Sequence, residues 1–149
     1  MEFPAGRKMR VNGIDLVVHE AGAGIPVVMA HGWPELAYSW RFQIPALTEA
    51  GYRVIVPNQR GYGNTDKPEP VEAYDMPNLC GDMAGLLDAL GLEKAVFIGH
   101  DWGCIVVWNM PLYHPDRVAG VVGMSVPFQP RAAGDPVAFM EQVFGPDMY

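Results

Sequence analysis

Five consecutive residues, Gly99-His100-Asp101-Trp102-Gly103, carry the clearest chemical signal in the chain. An apolar run, Ala95-Val96-Phe97-Ile98, precedes them, and a second, Cys104-Ile105-Val106-Val107-Trp108, follows. That order predicts strand, sharp turn, helix, the context in which a G-x-nucleophile-x-G elbow has a physical meaning. The two glycines leave room for a turn that a Cβ would obstruct. The central residue then projects from a strained position at the top of a sheet. Here it is Asp101 rather than Ser. A carboxylate suits attack on an electrophilic sp3 carbon, which leaves an ester on the enzyme.

The elements that must position this elbow are legible around it. Met9-Arg10-Val11 and Ile14-Asp15-Leu16-Val17-Val18 flank Asn12-Gly13, a strong hairpin signal. Pro26-Val27-Val28-Met29-Ala30 is continuously apolar, as a strand buried on both faces should be. Residues 39–50 predict a helix with Trp40, Ile44 and Leu47 on one face, ended by Gly51. Tyr52-Arg53-Val54-Ile55-Val56 is the next strand, and a Gly/Pro-rich loop follows over residues 58–72. Met76, Leu79, Met83, Leu86, Leu87 and Leu90 recur at helical spacing up to Gly91. After the elbow helix, which Pro111 and Pro115 are expected to close, residues 118–124 form one more strand. Alternating apolar strands and helices predict an α/β, mostly parallel, doubly wound sheet covered on both faces. From Val126 the texture changes: Pro127, Pro130, Gly134 and Pro136 interrupt the chain before a short helical stretch at residues 137–143. Residues 1–126 therefore read as core, and residues 127–149 as an excursion out of the sheet.

Composition bounds the function. The chain has 149 residues, half of them hydrophobic, which supports one sizeable core. Its 17 acidic against 10 basic residues show no basic stripe, so nucleic acid is not the expected partner. Cys80 and Cys104 make neither a disulfide framework nor a zinc pattern, and Cys104 reads as a small buried residue. No signal peptide is evident, and no apolar run approaches the roughly 20 residues of a membrane span. A soluble cytoplasmic protein is the expectation.

Three motifs in chain order resemble the α/β-hydrolase superfamily and, within it, the epoxide hydrolases. His31-Gly32-Trp33-Pro34-Glu35 resembles the H-G-x-P oxyanion loop, Gln59-Arg60-Gly61-Tyr62-Gly63 the R-G-x-G loop, and Gly99 to Gly103 the aspartate elbow. Pro34 fixes φ and lacks an N–H, so it can hold a turn that points the Trp33 N–H into the site. The Trp102 N–H, at a helix N-terminus, is the second oxyanion donor. The resemblance also implies a cis Trp33–Pro34 bond, chemistry without metal or cofactor, and a small apolar epoxide as substrate. It implies a vicinal diol as product and Tyr149 as the first lid tyrosine, a phenol that protonates the departing alkoxide. Asn58 departs from the Asp common at its position, and Arg60 reads as a loop anchor.

The superfamily order is nucleophile, acid, His. His19, His31, His100 and His114 all read as structural, and no Asp or Glu closely follows the strand at residues 118–124. The chain therefore reads as the N-terminal half of such an enzyme, with the base, its partner acid and the second lid tyrosine beyond residue 149. Left alone, that last strand would be an exposed apolar edge prone to aggregation. Met29, Trp33, Trp102 and Phe128 are either an aromatic-lined site or core. The competing readings are a haloalkane dehalogenase, with the Trp102 indole on a halide, and a non-catalytic α/β-hydrolase-like binding module. Trp33, where many dehalogenases have Asn, argues against the first, and the intact elbow against the second.

Overall fold

The computed structural model describes residues 2–130 and 134–145. Its centre is a six-stranded sheet, with strands β1 (Gly6–Val11), β2 (Ile14–Ala21), β3 (Ile25–Ala30), β4 (Tyr52–Asn58), β5 (Ala95–His100) and β6 (Val118–Met124). In space the order is β1-β2-β4-β3-β5-β6. The β1–β2 hairpin is antiparallel and turns at Asn12 and Gly13, both at positive φ, as a tight two-residue hairpin turn requires. β2 runs antiparallel to β4, and every remaining pairing is parallel. The predominantly parallel, doubly wound α/β architecture is thus present.

Strand alternation explains how one sheet feeds two cores. Val27 and Met29 of β3 point to one face and pack with Val54, Val56, Trp40 and Ile44. Val28 and Ala30 point to the other, under α2 (Met76–Ala89) and α3 (Trp102–Tyr113). There Met83, Leu86, Leu87, Val106, Val107 and Met110 close over Phe97 and Ile55. Each fully buried side chain of this size contributes about 1.5–3 kcal/mol. Asp75 caps α2, its side chain accepting the Asn78 N–H at 2.9 Å.

Two predicted elements differ in detail. The helix expected over residues 39–50 divides into a 3-10 turn, Ala37–Phe42, and α1, Gln43–Glu49. Pro45 is the reason: it has no N–H for the Arg41 carbonyl, so the α-helix restarts with Pro45 in its first turn. Pro111 does not close α3 but lies inside it. The last turn survives because the His114 N–H bonds the Met110 carbonyl at 2.8 Å and Met110 is anchored in the core. Pro115 does end the helix, opening a short 3-10 turn.

Residues 58–72 are irregular but firmly tied. The Thr65 hydroxyl donates to the Asn58 carbonyl at 2.7 Å and accepts the Val17 N–H at 2.9 Å. Asp66 Oδ2 accepts the Asp15 N–H at 2.8 Å. After β6 the chain leaves the sheet and forms α4 (Pro136–Phe144), whose Phe139, Val143 and Phe144 are exposed. Among the described residues β6 pairs with β5 alone, so it is the apolar edge the sequence anticipates. No helix of the described residues is long and apolar enough to cross a membrane.

Candidate active site

The elbow is built by close packing. Asp101 sits between β5 and α3 at φ 52°, ψ −121°, a strained conformation for a residue with a Cβ. Gly99 and Gly103 themselves have ordinary φ; what they supply is space. A Cβ on Gly103 would stand 2.1 Å from the Ala30 carbonyl oxygen, and one on Gly99 2.4 Å from the Gly103 oxygen. Behind the turn Cys104 Sγ lies 3.0 and 2.8 Å from the Gly99 and Met124 carbonyl oxygens, with one proton to donate between them, and accepts the Met124 N–H at 3.1 Å. The thiol is buried and part of the packing, as expected for a small core residue.

The loop after β3 meets the elbow. Asp101 Oδ1 accepts the Trp33 N–H at 2.9 Å, and the carboxylate also accepts the Trp102 N–H. These two backbone donors, Trp33 first, hold the Asp101 carboxyl below the usual carboxylate range, against a small opposing effect of burial. The Trp33–Pro34 bond is cis. Pro34 is followed by Glu35, whose N–H returns to the Gly32 carbonyl at 3.1 Å. The Glu35 carboxylate accepts the Gly32 N–H at 3.2 Å and lies 3.2 Å from His100 Nδ1. Glu35 thus clasps the loop to the elbow, a role that sequence reading missed. Its only sequence signal is the spacing of three residues from Gly32.

The remaining candidates divide clearly. His31 is buried; its Nε2 accepts the Gln59 N–H at 3.0 Å, which leaves Nδ1 to donate to the Gly32 carbonyl at 2.8 Å. Burial pushes its pKa down, so it is a neutral structural histidine. His19 bonds the Pro4 carbonyl through Nδ1 at 2.7 Å, and His114 caps α3. Asn58 Oδ1 accepts the Ala37 N–H at 2.8 Å, so it serves backbone, not chemistry. Arg60 anchors its loop by a paired contact with buried Asp82, at 2.8 and 2.6 Å. Met29 is core, and Phe128 packs edge-on against Trp108. Trp33 and Trp102 are 64% and 52% exposed on either side of Asp101. The structure thus brings together Asp101, Trp33, Pro34 and Trp102; Tyr149 lies outside the described residues. Among the described residues no group of three or more His, Cys, Asp or Glu side chains is placed to hold a metal ion.

A carboxylate on a strained turn, carrying two backbone donors and flanked by exposed indoles, can attack carbon and then have charge stabilised on its own oxygen. The chain is 54% identical, over its full length, to an epoxide hydrolase A of Mycobacterium tuberculosis, covering 47% of that protein. It is 43% identical over 95% of its length to an epoxide hydrolase 3 of Siraitia grosvenorii, covering 45% of it. The crystal structure of an epoxide hydrolase A from Mycobacterium thermoresistibile superposes with a TM-score of 0.93 at 54% identity, over 97% of this chain and 46% of that one. The chain therefore spans about half the length of the relatives it matches. A family profile described as alpha/beta hydrolase fold matches residues 25–147. The chain belongs to the alpha/beta hydrolase fold family.

Proposed function

We propose that this chain carries the nucleophile and oxyanion donors of an epoxide hydrolase, with residues 1–126 as core and residues 127–149 as the start of a lid. The Asp101 carboxylate attacks a ring carbon, the carbon–oxygen bond of the epoxide breaks, and the electron pair leaves on the ring oxygen. A phenol, Tyr149 in this reading, gives that alkoxide its proton. Water then attacks the carbonyl of the Asp101 ester, and the resulting oxyanion develops where the Trp33 and Trp102 N–H groups already point. Collapse releases a vicinal diol and restores the carboxylate. No cofactor takes part. His31 is committed to the loop, and neither His19 nor His114 lies at the elbow, so the base for water is assigned to none of them. The ligand is a small apolar epoxide, and the cytoplasm is its expected place.

One observation carries this reading: Asp101 at the elbow with Trp33 N–H on its Oδ1 at 2.9 Å. The names of the similar proteins support it. The test is the intact mass of the protein after incubation with styrene oxide. A single epoxide adduct, or turnover to the diol, is expected, and neither should occur in Asp101→Asn. Halide release from a bromoalkane without any reaction with epoxides would overturn it.

A further inference from the structure

Among the described residues the non-glycine positions at positive φ are Asn12, Asp101 and Ser125. Asn12 belongs to the hairpin turn. The other two meet where β5 and β6 end. The β5–β6 ladder runs as far as His100 opposite Met124, and one bond continues it: the Asp101 N–H donates to the Met124 carbonyl at 3.3 Å. That bond holds the Asp101 backbone from the side away from the Trp33 loop. Ser125 then turns the chain off the sheet at φ 72°, its hydroxyl donating to the same carbonyl at 2.6 Å.

A residue with a Cβ keeps such a φ only where its surroundings enforce it. For Ser125 the enforcing contacts come from α3. Trp108 Nε1 donates to the Val126 carbonyl at 3.0 Å, and the Trp108 ring meets Phe128 edge-on with centroids 5.8 Å apart. Gly123 leaves the indole room against β6, where a Cβ would stand 2.4 Å from Trp108 Cζ2. Trp108 therefore grips the chain on both sides of Ser125. It does so from the helix whose N-terminus carries Asp101, about two turns earlier. The φ of Ser125 turns about the bond beside the Met124 peptide. Were Val126 released and Ser125 to relax, the Met124 carbonyl would swing off the Asp101 N–H.

We propose that Trp108 is a positioning residue for Asp101: by holding Val126 it fixes Ser125 in its strained turn and the Met124 carbonyl on the Asp101 N–H. That Asp101 acts as a nucleophile rests on the epoxide hydrolase reading above; that Trp108 positions it does not.

Trp108→Phe keeps an aromatic ring against Gly123 and Phe128 and removes the N–H. The Asp101 amide is followed by 1H–15N NMR. Its exchange with deuterium should quicken about ten-fold, with a displaced cross-peak, while the amides of the β1–β2 hairpin keep their rates. With styrene oxide the maximal rate of adduct formation should fall about ten-fold, and the concentration giving half that rate should stay the same. Glycine takes φ 72° without strain, so adding Ser125→Gly to Trp108→Phe should restore most of the amide protection and of the rate. A tryptophan that only packs the fold would show no such rescue. Unchanged Asp101 exchange in folded Trp108→Phe, or no recovery in the double variant, overturns the proposal. If Trp108→Phe does not fold, Ser125→Val at an exposed position decides instead. Its branched side chain resists the turn and should loosen the Asp101 amide with Trp108 intact, and unchanged exchange there overturns the proposal. Exchange that responds as expected, without an adduct in parent or variants, upholds the positioning and overturns the epoxide reading.

Discussion

Asp82 and Asp101 are two carboxylates of one molecule in opposite circumstances. Asp82, on α2, is 1% exposed and meets a guanidinium squarely, with Asn12 of the hairpin turn adding a third donor at 2.9 Å. Its charge is neutralised and its geometry closed, and nearby Cys80 is pushed up to about 12 by burial and then by the Asp82 charge. Asp101 is only partly covered and is held by two backbone N–H groups and no guanidinium. Backbone donors stabilise the carboxylate without cancelling its charge, so it stays ionised, oriented and available. The difference teaches that a carboxylate's partners, more than its burial, decide whether it holds the fold or does chemistry.

The comparison breaks first at Asp101→Asn, which should lower adduct formation by about 10^3-fold or more. Its thermal midpoint should move by no more than about 2 °C, since no buried charge is orphaned. A folded variant that still forms the adduct, with deamidation excluded by mass, would dismiss Asp101 as the nucleophile. Asp82→Ala should do the reverse. It leaves Arg60 buried without its partner, and urea denaturation should show a loss of about 3–5 kcal/mol. A loss within about 0.5 kcal/mol would mean that the pair is not structural.

Gly103→Ala tests the space behind the elbow. Its Cβ would fall 2.1 Å from the Ala30 oxygen, so backbone must move. A cost of about 3 kcal/mol is expected, with adduct formation lost in whatever fraction still folds. A normal melting curve would show that β3 and α3 approach less closely than described. The smallest effect is with pH. With the carboxylate as the proposed nucleophile and its pKa lowered, the adduct rate should stay level down to about pH 4, the ordinary Asp value, and fall only below it. The same shift contributes stability that is present above the unfolded-state pKa and lost as pH falls through the folded one. That part of the acid sensitivity should be missing in Asp101→Asn. A rate already halved at about pH 5 would contradict the held carboxylate.

Much of this was legible along the chain. The hairpin at Asn12-Gly13, the doubly buried β3, the α2 stripe and the strand-to-helix elbow all follow from spacing and turn chemistry, because those signals are local. Where the reading slipped, the cause was a proline whose effect depends on neighbours. Pro45 splits a helix, whereas Pro111 is tolerated in one because Met110 is fixed in the core. The partners of Arg60, His31 and Glu35 were not legible, since Asp82, Gln59 and His100 stand 22, 28 and 65 residues away.

The sequence by itself determined the strands, the helices and the residue types at the elbow and at the loop after β3. Period, glycine spacing and proline act over a few residues, so they can be read in order. Only the tertiary structure decided which N–H groups reach Asp101, which arginine is silenced and which indoles flank the carboxylate. Those are meetings between distant segments, fixed when the parallel strands stack β3 beside β5 and bring the ends of both to the same edge of the sheet.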